Sequence, residues 1–329
     1  MTTQHRARRW AWVTGTLVTT LSLGFIAALL WSQRETILSY RPGLSDILIL
    51  LVGSLSYAGA GLLLISAWHS LLTWSGEKDV DRKVARRIYA RTQLGKYVPG
   101  NVVQFLSRHL AGRGAGWSHL GMLLSTIFEL LSLLCVAAAF VIAGLLVTSV
   151  HISAIRPPVL IAVLVGLVGL GFLVLRIVPQ LVMRYWPEVA TRLANRRISS
   201  LWPVAALHAG FFLIGGLLLV LVSYVVLGRP VALSYWPALI SLFAAGWIVG
   251  AVTPGAPSGL GVRETVLVLG LATVASAAEA VVIAALLRVL TVLGDVLLYL
   301  FSLGKVWEFG QKAPDAETAR PNGGHQRRR

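Results

Sequence analysis

A chain of 329 residues that is 56% hydrophobic and only 13% charged does not fit the soluble globular class, in which about 25% of residues are charged. Its net charge of +16 could suggest a nucleic-acid partner, but the basic residues lie between long apolar runs, and no zinc-finger spacing, RNP motif or basic zipper is found. The single cysteine, Cys135, excludes an intrachain disulfide and is expected to be a small buried hydrophobe. Composition predicts an integral membrane protein.

The apolar runs predict an all-α fold, a polytopic transmembrane helix bundle of about seven to eight spans. Residues 1–9 form a basic N-terminus. The run Trp10–Trp31 is too long for a signal peptide and lacks a cleavage site, so an uncleaved first helix is expected. The remaining predicted spans are about Ile47–Trp74, His119–Val147, Val159–Val178, Trp202–Leu227, Trp236–Val252 and Ala278–Leu303. Residues 10–305 form a single transmembrane domain, followed by a cytoplasmic tail, 306–329, that is expected to be disordered.

Two segments interrupt this series of spans. Residues 77–96 are mostly polar, with Val80, Val84 and Ile88 at helical spacing, which favours a helix on the membrane surface. The stretch Ala245–Leu271 is apolar at both ends but holds three Gly and two Pro between residues 253 and 261. Lipid cannot satisfy the backbone groups that such a break exposes. This stretch therefore predicts two half-helices that meet at a polar break, the second of them from Thr265 to Ala275.

A fainter copy of the break lies 155 residues earlier. The pattern G-x3-P-G-x7-R occurs at 95–108 and again at 250–263. The same offset places the first span on the fourth, the second on the fifth and the third on the last, each pair crossing in opposite directions. This predicts an inverted repeat with halves of about 10–150 and 159–305, a pattern common in transporters, although a chain with 32 Gly and 13 Pro can match by chance. The broken or re-entrant segments are assigned to Pro99, Gly100, Pro254, Gly255, Gly259 and Gly261.

The distribution of basic residues predicts the orientation. With the N-terminus in the cytoplasm, the cytoplasmic segments hold three Lys or Arg in residues 1–9, nine from Lys78 to Arg113, four from Arg184 to Arg197 and six in the tail. The opposite side holds only four, at positions 34, 41, 156 and 229. The positive-inside rule then places both termini in the cytoplasm, in a multi-pass protein of the cytoplasmic (inner) membrane.

Five ionisable residues are expected at membrane depth, where each needs a partner or water: Arg263, Glu264, Arg288, Glu129 and Asp295. Mutual pairing as a clamp between helices, for instance of Arg288 with Glu129, remains open for the two intramembrane acids Glu129 and Asp295. Arg263 and Arg288 are interpreted as ligands of an anionic lipid headgroup, because arginine binds phosphate oxygens with two donors. Glu264 is expected to hold Arg263 in place.

Lys96 and Arg108 are predicted to bind the same headgroup at the cytoplasmic mouth, with ordinary positive-inside charge as the alternative. His109 has no second His or Cys at metal spacing, and His208 receives no role. Ser258 does not fit a nucleophile motif, and no nucleophile–base pair, Walker loop or dinucleotide fingerprint is found. The sequence thus predicts no catalytic residue, no metal and no cofactor, and a protein that is not an enzyme.

The segments GKYVPGNVVQFLSR and TPGAPSGLGVRETVLV resemble the lysylphosphatidylglycerol synthase transmembrane-region family of flippase-like membrane proteins. The family's K-Y-x-P-G segment is similar to residues 96–100, its P-G-G-x-G-x-R-E segment to 254–264, and its acidic third-span segment to the region of Glu129. The chain departs from the family where Ser125 and Ser132 stand in place of a further acid and where residues 256–258 lengthen the glycine segment. The resemblance implies the lipid-handling half of such proteins, without the soluble aminoacyl-transfer domain.

The resulting hypothesis is a lipid translocase that moves the headgroup of an anionic phospholipid, glycolipid or polyprenyl-linked lipid between leaflets. The first alternative is a membrane-embedded enzyme or accessory subunit of lipid-linked glycan or envelope biosynthesis, and the second is a partner-binding scaffold. A membrane lipid is the expected partner, together with envelope-biosynthesis enzymes.

Overall fold

The computed structural model describes Trp31, Arg34 and residues 43–98, 102–147, 198–253 and 256–303. Within these ranges the chain is helical and contains no strand. The helices are α1 (Leu44–Trp74), α2 (Arg82–Gln93), α3 (Val103–Gly114), α4 (His119–Val147), α5 (Trp202–Leu227), α6 (Trp236–Val252), α7 (Val262–Leu271) and α8 (Ala277–Phe301). Short 3-10 turns lie at Leu94–Tyr97, Ile198–Leu201, Leu233–Tyr235 and Pro257–Gly259. The prediction of an all-α fold is confirmed for this part of the chain.

Five of the described helices are long and apolar enough to cross a membrane. They are α1, α4, α5, α6 with the turn before it, and α8, and three of them have the predicted bounds to the residue. The predicted first and fourth spans, both termini and the tail lie outside the described residues. The five helices support an integral membrane protein.

Helix α1 lies at the centre of the described structure, packed against α5, α8, α4 and α2. Gly53 of α1 faces Leu218 of α5 and Leu290 of α8, while the Leu63 side chain lies against Gly210 of α5. The contacting residues of α5 have falling residue numbers as those of α1 rise, so α1 and α5 are antiparallel. These two helices are a pair that the 155-residue offset relates, so the inverted repeat predicts their opposed directions.

Small residues allow the helices to approach closely. A Cβ added at Gly216 of α5 would lie 2.6 Å from the Ile240 Cα of α6, and one at Gly294 of α8 would lie 2.8 Å from the Ser54 carbonyl oxygen of α1. Such contacts are typical of helix packing in membranes, where dispersion rather than the hydrophobic effect holds helices together. Phe211, Phe212 and Phe243 fill the space between α5 and α6 with edge-to-face contacts.

Two expectations require correction. Cys135 is exposed on α4 rather than buried, because only a small part of the apolar surface of α4 packs against the described helices. The half-helix after the polar break begins at Val262 instead of Thr265, because the Glu264 side chain accepts a hydrogen bond from the Gly261 N–H (2.7 Å) and caps an earlier start.

The apolar stripe of α2 packs against protein. Ile88 is buried, and Val80 and Val84 lie against the same core cluster. The exposed side of α2 carries the charges that the sequence assigned to it, including Arg82 and Arg86. The surface helix expected from the sequence is thus an element integrated between α1, α3 and α8.

Candidate functional site

Two helical hairpins carry the repeated motif. In the first hairpin (α2, the turn Leu94–Tyr97 and α3), a Cβ at Gly95 would lie 2.9 Å from the Gln104 Cα. In the second hairpin (α6, the turn Pro257–Gly259 and α7), a Cβ at Gly250 would lie 3.2 Å from the Gly259 Cα. Both contacting pairs are related by the same offset of 155 residues, so the two motifs close their hairpins at equivalent positions.

The tips of the two hairpins lie against each other, since the turn Leu94–Tyr97 contacts the turn Pro257–Gly259. The backbone of the second tip is unusual, with positive φ at Ser258 (50°), Gly259 (69°) and Gly261 (82°). Glycine adopts this region without a steric penalty, whereas Ser258 does not. Pro99, Gly100, Pro254 and Gly255 themselves lie outside the described residues, so their roles in the breaks stay predictions.

An ion pair buried within the first half joins Arg108 to Glu129. The Arg108 Nη1 lies 2.7 Å from the Glu129 Oε2, and the Tyr89 hydroxyl donates to Oε1 of the same carboxylate at 2.7 Å. The guanidinium also lies over the Tyr89 ring, 3.7 Å from its centroid. Thr92 and Gln93 accept weaker hydrogen bonds from the remaining Arg108 nitrogens. Because Arg108 is only 1% exposed, it does not face the mouth expected from the sequence.

The pairing of Glu129 differs from the example that the sequence suggested. Glu129 pairs with Arg108 of α3 and Arg288 pairs with Glu264, so a clamp between Arg288 and Glu129 is wrong. The physical reason is the fold of the first hairpin, which packs α3 along α4 and brings a nearer cation to Glu129.

Helix α8 holds the tip of the first hairpin through Asp295. The Lys96 Nζ lies 2.6 Å from the Asp295 Oδ2, and the Tyr97 hydroxyl donates to the same oxygen at 2.5 Å. Asp295 is 3% exposed, so the pair is well removed from water. Lys96 therefore belongs to a contact between the hairpin tip and a span.

Earlier on α8, Arg288 holds the tip of the second hairpin. Its Nε lies 3.5 Å from the Glu264 Oε1, and its Nη1 donates to the Ser258 carbonyl oxygen at 3.2 Å. Its guanidinium carbon also lies 5.5 Å from the centroid of the Tyr97 ring. A single helix thus contacts both tips with side chains of opposite charge.

Arg263 stands apart from these pairs. It is 8% exposed, its guanidinium carbon lies 4.7 Å from the Phe243 ring centroid, and its buried Nη2 has no hydrogen-bond partner. Glu264 does not hold it, because successive residues on a helix point in different directions, and Glu264 caps α7 and faces Arg288 instead. Arg263 is a buried cation without a counterion among the described residues.

The repeat shows how this difference between the halves arises. Arg263 is the equivalent of Arg108, but the position equivalent to Glu129 is Ala284, which is buried on α8. Among the described charges at the hairpins, Arg108, Lys96 and Arg288 each have a carboxylate. Arg263 is therefore a buried positive charge that no carboxylate of the described residues neutralises, and a guanidinium in that state can bind one anionic group.

Several participants were not identified from the sequence. In the sequence, Tyr89 and Phe243 are distinguished only by their aromatic character, whereas Tyr97 lies inside the repeated motif. His109 has no second histidine at metal spacing in the sequence, yet its Nε2 lies 2.9 Å from the Nδ1 of His119. His208 shares a hydrogen bond with Ser132 (2.8 Å). In the described part of the chain, no group of three or more His, Cys, Asp or Glu could hold a metal ion.

No model of a known protein family matches this chain, and no curated protein matches it.

Proposed function

We propose that the protein is a lipid translocase of the cytoplasmic membrane, in which Arg263 binds the anionic headgroup of the transported lipid. The observation that carries this proposal is the buried Arg263 Nη2 without a partner. An unpaired arginine at the centre of a span costs at least about 2.5–3.5 kcal/mol. A conformation that admits a phosphate to Arg263 removes this cost, so anion binding favours the opening of the second hairpin.

The arrangement of the hairpins supports passage of a headgroup between two faces. With both termini in the cytoplasm, the first hairpin dips in from the cytoplasmic side and the second, its inverted equivalent, from the opposite side. On this topology the two tips meet from opposite faces, and broken helices of inverted repeats bind substrates at such a meeting point in transporters. Asp295 and Arg288 on α8 hold the two tips by ion pairs that can open and re-form as the hairpins move.

The resemblance to the lysylphosphatidylglycerol synthase transmembrane-region family is part of this proposal. It agrees with the paired carboxylates and cations at the motif residues, and it implies a phospholipid, glycolipid or polyprenyl-linked lipid as the substrate class. On this proposal the protein transports a lipid without chemical conversion, and it is not an enzyme.

The experiment is a dithionite-accessibility assay in proteoliposomes with fluorescent phosphatidylglycerol, alongside a melting curve of each variant. Arg263→Gln should abolish translocation while its melting temperature stays at or above that of the wild type, because an uncompensated charge is removed. Arg263→Lys keeps the charge but loses the planar guanidinium with its two parallel hydrogen-bond donors, so it should transport at a reduced rate. Arg229→Gln, an exposed site between α5 and α6, is the matched control and should transport like the wild type.

A charge-assisted hydrogen bond contributes about 1.5–3 kcal/mol, so loss of the Arg263 contact should weaken lipid binding by about ten- to a hundredfold. Translocation by Arg263→Gln at the wild-type rate would show that the headgroup site lies elsewhere. A variant that fails to fold would show that Arg263 is a structural residue and would overturn the assignment as well.

A further inference from the structure

A groove between the described helices includes no residue of the two hairpin tips. It has a volume of about 190 Å³ and runs along α1 between α2 and α8. Its floor is buried and apolar, with Ala58, Ala90 and Leu298, and Leu55, Leu62 and Phe301 form an exposed apolar rim. Sites for drug-sized molecules are about 300–1,000 Å³, so this groove suits a single hydrocarbon chain better than a ring system.

Gly59 on α1 gives the groove its depth. A Cβ at Gly53 or Gly61 of the same helix would meet a leucine side chain of α8 at 2.7 or 2.6 Å, so both glycines lie at a close contact between helices. A Cβ at Gly59 would meet nothing within 4 Å among the described residues. Glycine is less favourable than alanine inside a helix, and no helix contact among the described residues requires Gly59. Space for an occupant of the groove is therefore a reason for glycine at this position.

Among the described residues that line the groove, Arg86 of α2 is the charged one. Its aliphatic stem can follow the apolar wall while its guanidinium reaches the surface, as arginine does at membrane interfaces. Helix α2 contains five basic residues and no acidic one, namely Arg82, Lys83, Arg86, Arg87 and Arg91. Such a cluster attracts anionic lipid headgroups.

We propose that this groove binds one acyl chain of an anionic glycerophospholipid, whose phosphate lies against Arg86. The apolar channel is about 10 Å long, from Leu55 to Leu62 at 1.5 Å per residue, which suits an acyl chain. It runs beside the basic helix α2, whose charge is complementary to an anionic headgroup. The site rests on the membrane location of the protein, but not on translocation or on Arg263. It is a second lipid site, separate from the proposed headgroup site at Arg263.

The test uses the full-length protein in detergent, titrated with phosphatidylglycerol and followed by native mass spectrometry. Gly59→Leu places a side chain in the groove, and we expect it to weaken the tightest phosphatidylglycerol binding at least tenfold. Gly114→Leu is the matched control, because a Cβ at this α3 glycine also meets nothing within 4 Å, and it should bind like the wild type. Arg86→Gln should abolish the preference for phosphatidylglycerol over phosphatidylcholine.

The outcomes separate this site from the headgroup site. Arg263→Gln should retain the groove-bound phosphatidylglycerol even when translocation is lost. Equal phosphatidylglycerol binding by Gly59→Leu and the wild type would overturn the proposal. So would a disulfide between Gly59→Cys and a cysteine introduced within residues 10–31, tested in a Cys135→Ser background, because it would show that the chain itself occupies the groove.

Discussion

Arg108 and Glu129 are an ion pair in which both side chains are about 2% exposed. Removing two charges from water carries a large penalty, which a close geometry and additional hydrogen bonds offset only in part. Tyr89, Thr92 and Gln93 supply those hydrogen bonds. The pair therefore fixes how α3 packs against α4, and its net stabilisation is much smaller than the cost of breaking it.

Glu129→Ala should destabilise the protein by about 3–5 kcal/mol, because it leaves Arg108 buried without a counterion. The double variant Arg108→Met with Glu129→Gln removes both charges, and the amide oxygen of the introduced glutamine can still accept the hydrogen bond from Tyr89. The double variant should lose less stability than the sum of the losses measured for Arg108→Met alone and Glu129→Gln alone. Unfolding in detergent, arranged as a double-mutant cycle, measures the coupling. Additive losses would contradict the pairing.

At the scale of the element, the close contact between Gly250 and Gly259 determines how α6 and α7 pack. Gly259 has a positive φ of 69°, and a Cβ there would lie only 2.6 Å from the Gly250 Cα. Any side chain at this position meets backbone, which cannot move aside without opening the hairpin. The turn therefore requires glycine for two independent reasons.

Gly259→Ala should destabilise the protein by about 2 kcal/mol or more, since the left-handed conformation costs about 1–2 kcal/mol and the overlap with Gly250 adds to it. Gly114→Ala is the control. A Cβ at this position meets nothing within 4 Å, so this variant should be neutral or slightly stabilised. Melting temperatures of the purified variants make the comparison. Equal melting temperatures of Gly259→Ala and Gly114→Ala would show that the hairpin closes differently from the structure described.

The junction of α3 and α4 carries a pair of stacked histidines. Burial, and then the neighbouring charges of His119 and Arg113, lower the pKa of His109 below its ordinary value of 6.5. The unfolded chain therefore binds more protons than the folded chain as the pH falls through 6.5, and stability decreases with it. Once the pH is below the lowered pKa as well, the loss is complete.

We expect the melting temperature to fall between pH 7.5 and pH 5.5, and His109→Gln to reduce this fall. The hydrogen bond between the two rings needs at least one neutral imidazole, so protonation of both rings also separates them. Melting curves of wild type and variant across this range test the assignment. Equal pH dependence in both would show that other groups are responsible.

At the scale of the whole molecule, the basic residues of the loops predict the orientation in the membrane. The cytoplasmic segments of the predicted topology hold 22 Lys or Arg against four on the opposite side. In this predicted topology the tips of the hairpins approach each other from opposite faces. The proposed passage of a lipid headgroup between them requires that arrangement, so the predicted topology and the proposed function depend on each other.

Both termini should therefore be cytoplasmic. Thr3→Cys and Arg320→Cys, each introduced in a Cys135→Ser background, should resist a membrane-impermeant thiol reagent in intact cells and react after permeabilisation. The physical reason is the positive-inside bias of short loops. Reaction of either cysteine in intact cells would overturn the topology and, with it, the proposed entry faces of both hairpins.

The sequence by itself located the five described spans and the spacing of the repeated motif. The bounds of α4, α5 and α6 follow from uninterrupted apolar runs, because the bilayer imposes helix length and internal hydrogen bonding on each span. The 155-residue offset, read from Gly, Pro and Arg spacing, also relates the observed contact between Gly95 and Gln104 to that between Gly250 and Gly259. These are properties of consecutive residues, which is why one-dimensional patterns predict them.

Only the tertiary structure decided which charges meet. Several pairings of Arg108, Arg288, Glu129 and Glu264 have equal support in the sequence, since an ion pair depends on helix packing and on the direction in which each side chain points. The isolation of Arg263, the approach of His119 to His109 and the groove beside Gly59 likewise depend on contacts between helices far apart in the chain. Local spacing does not encode those contacts, because they arise from the way that the two hairpins pack around α1 and α8.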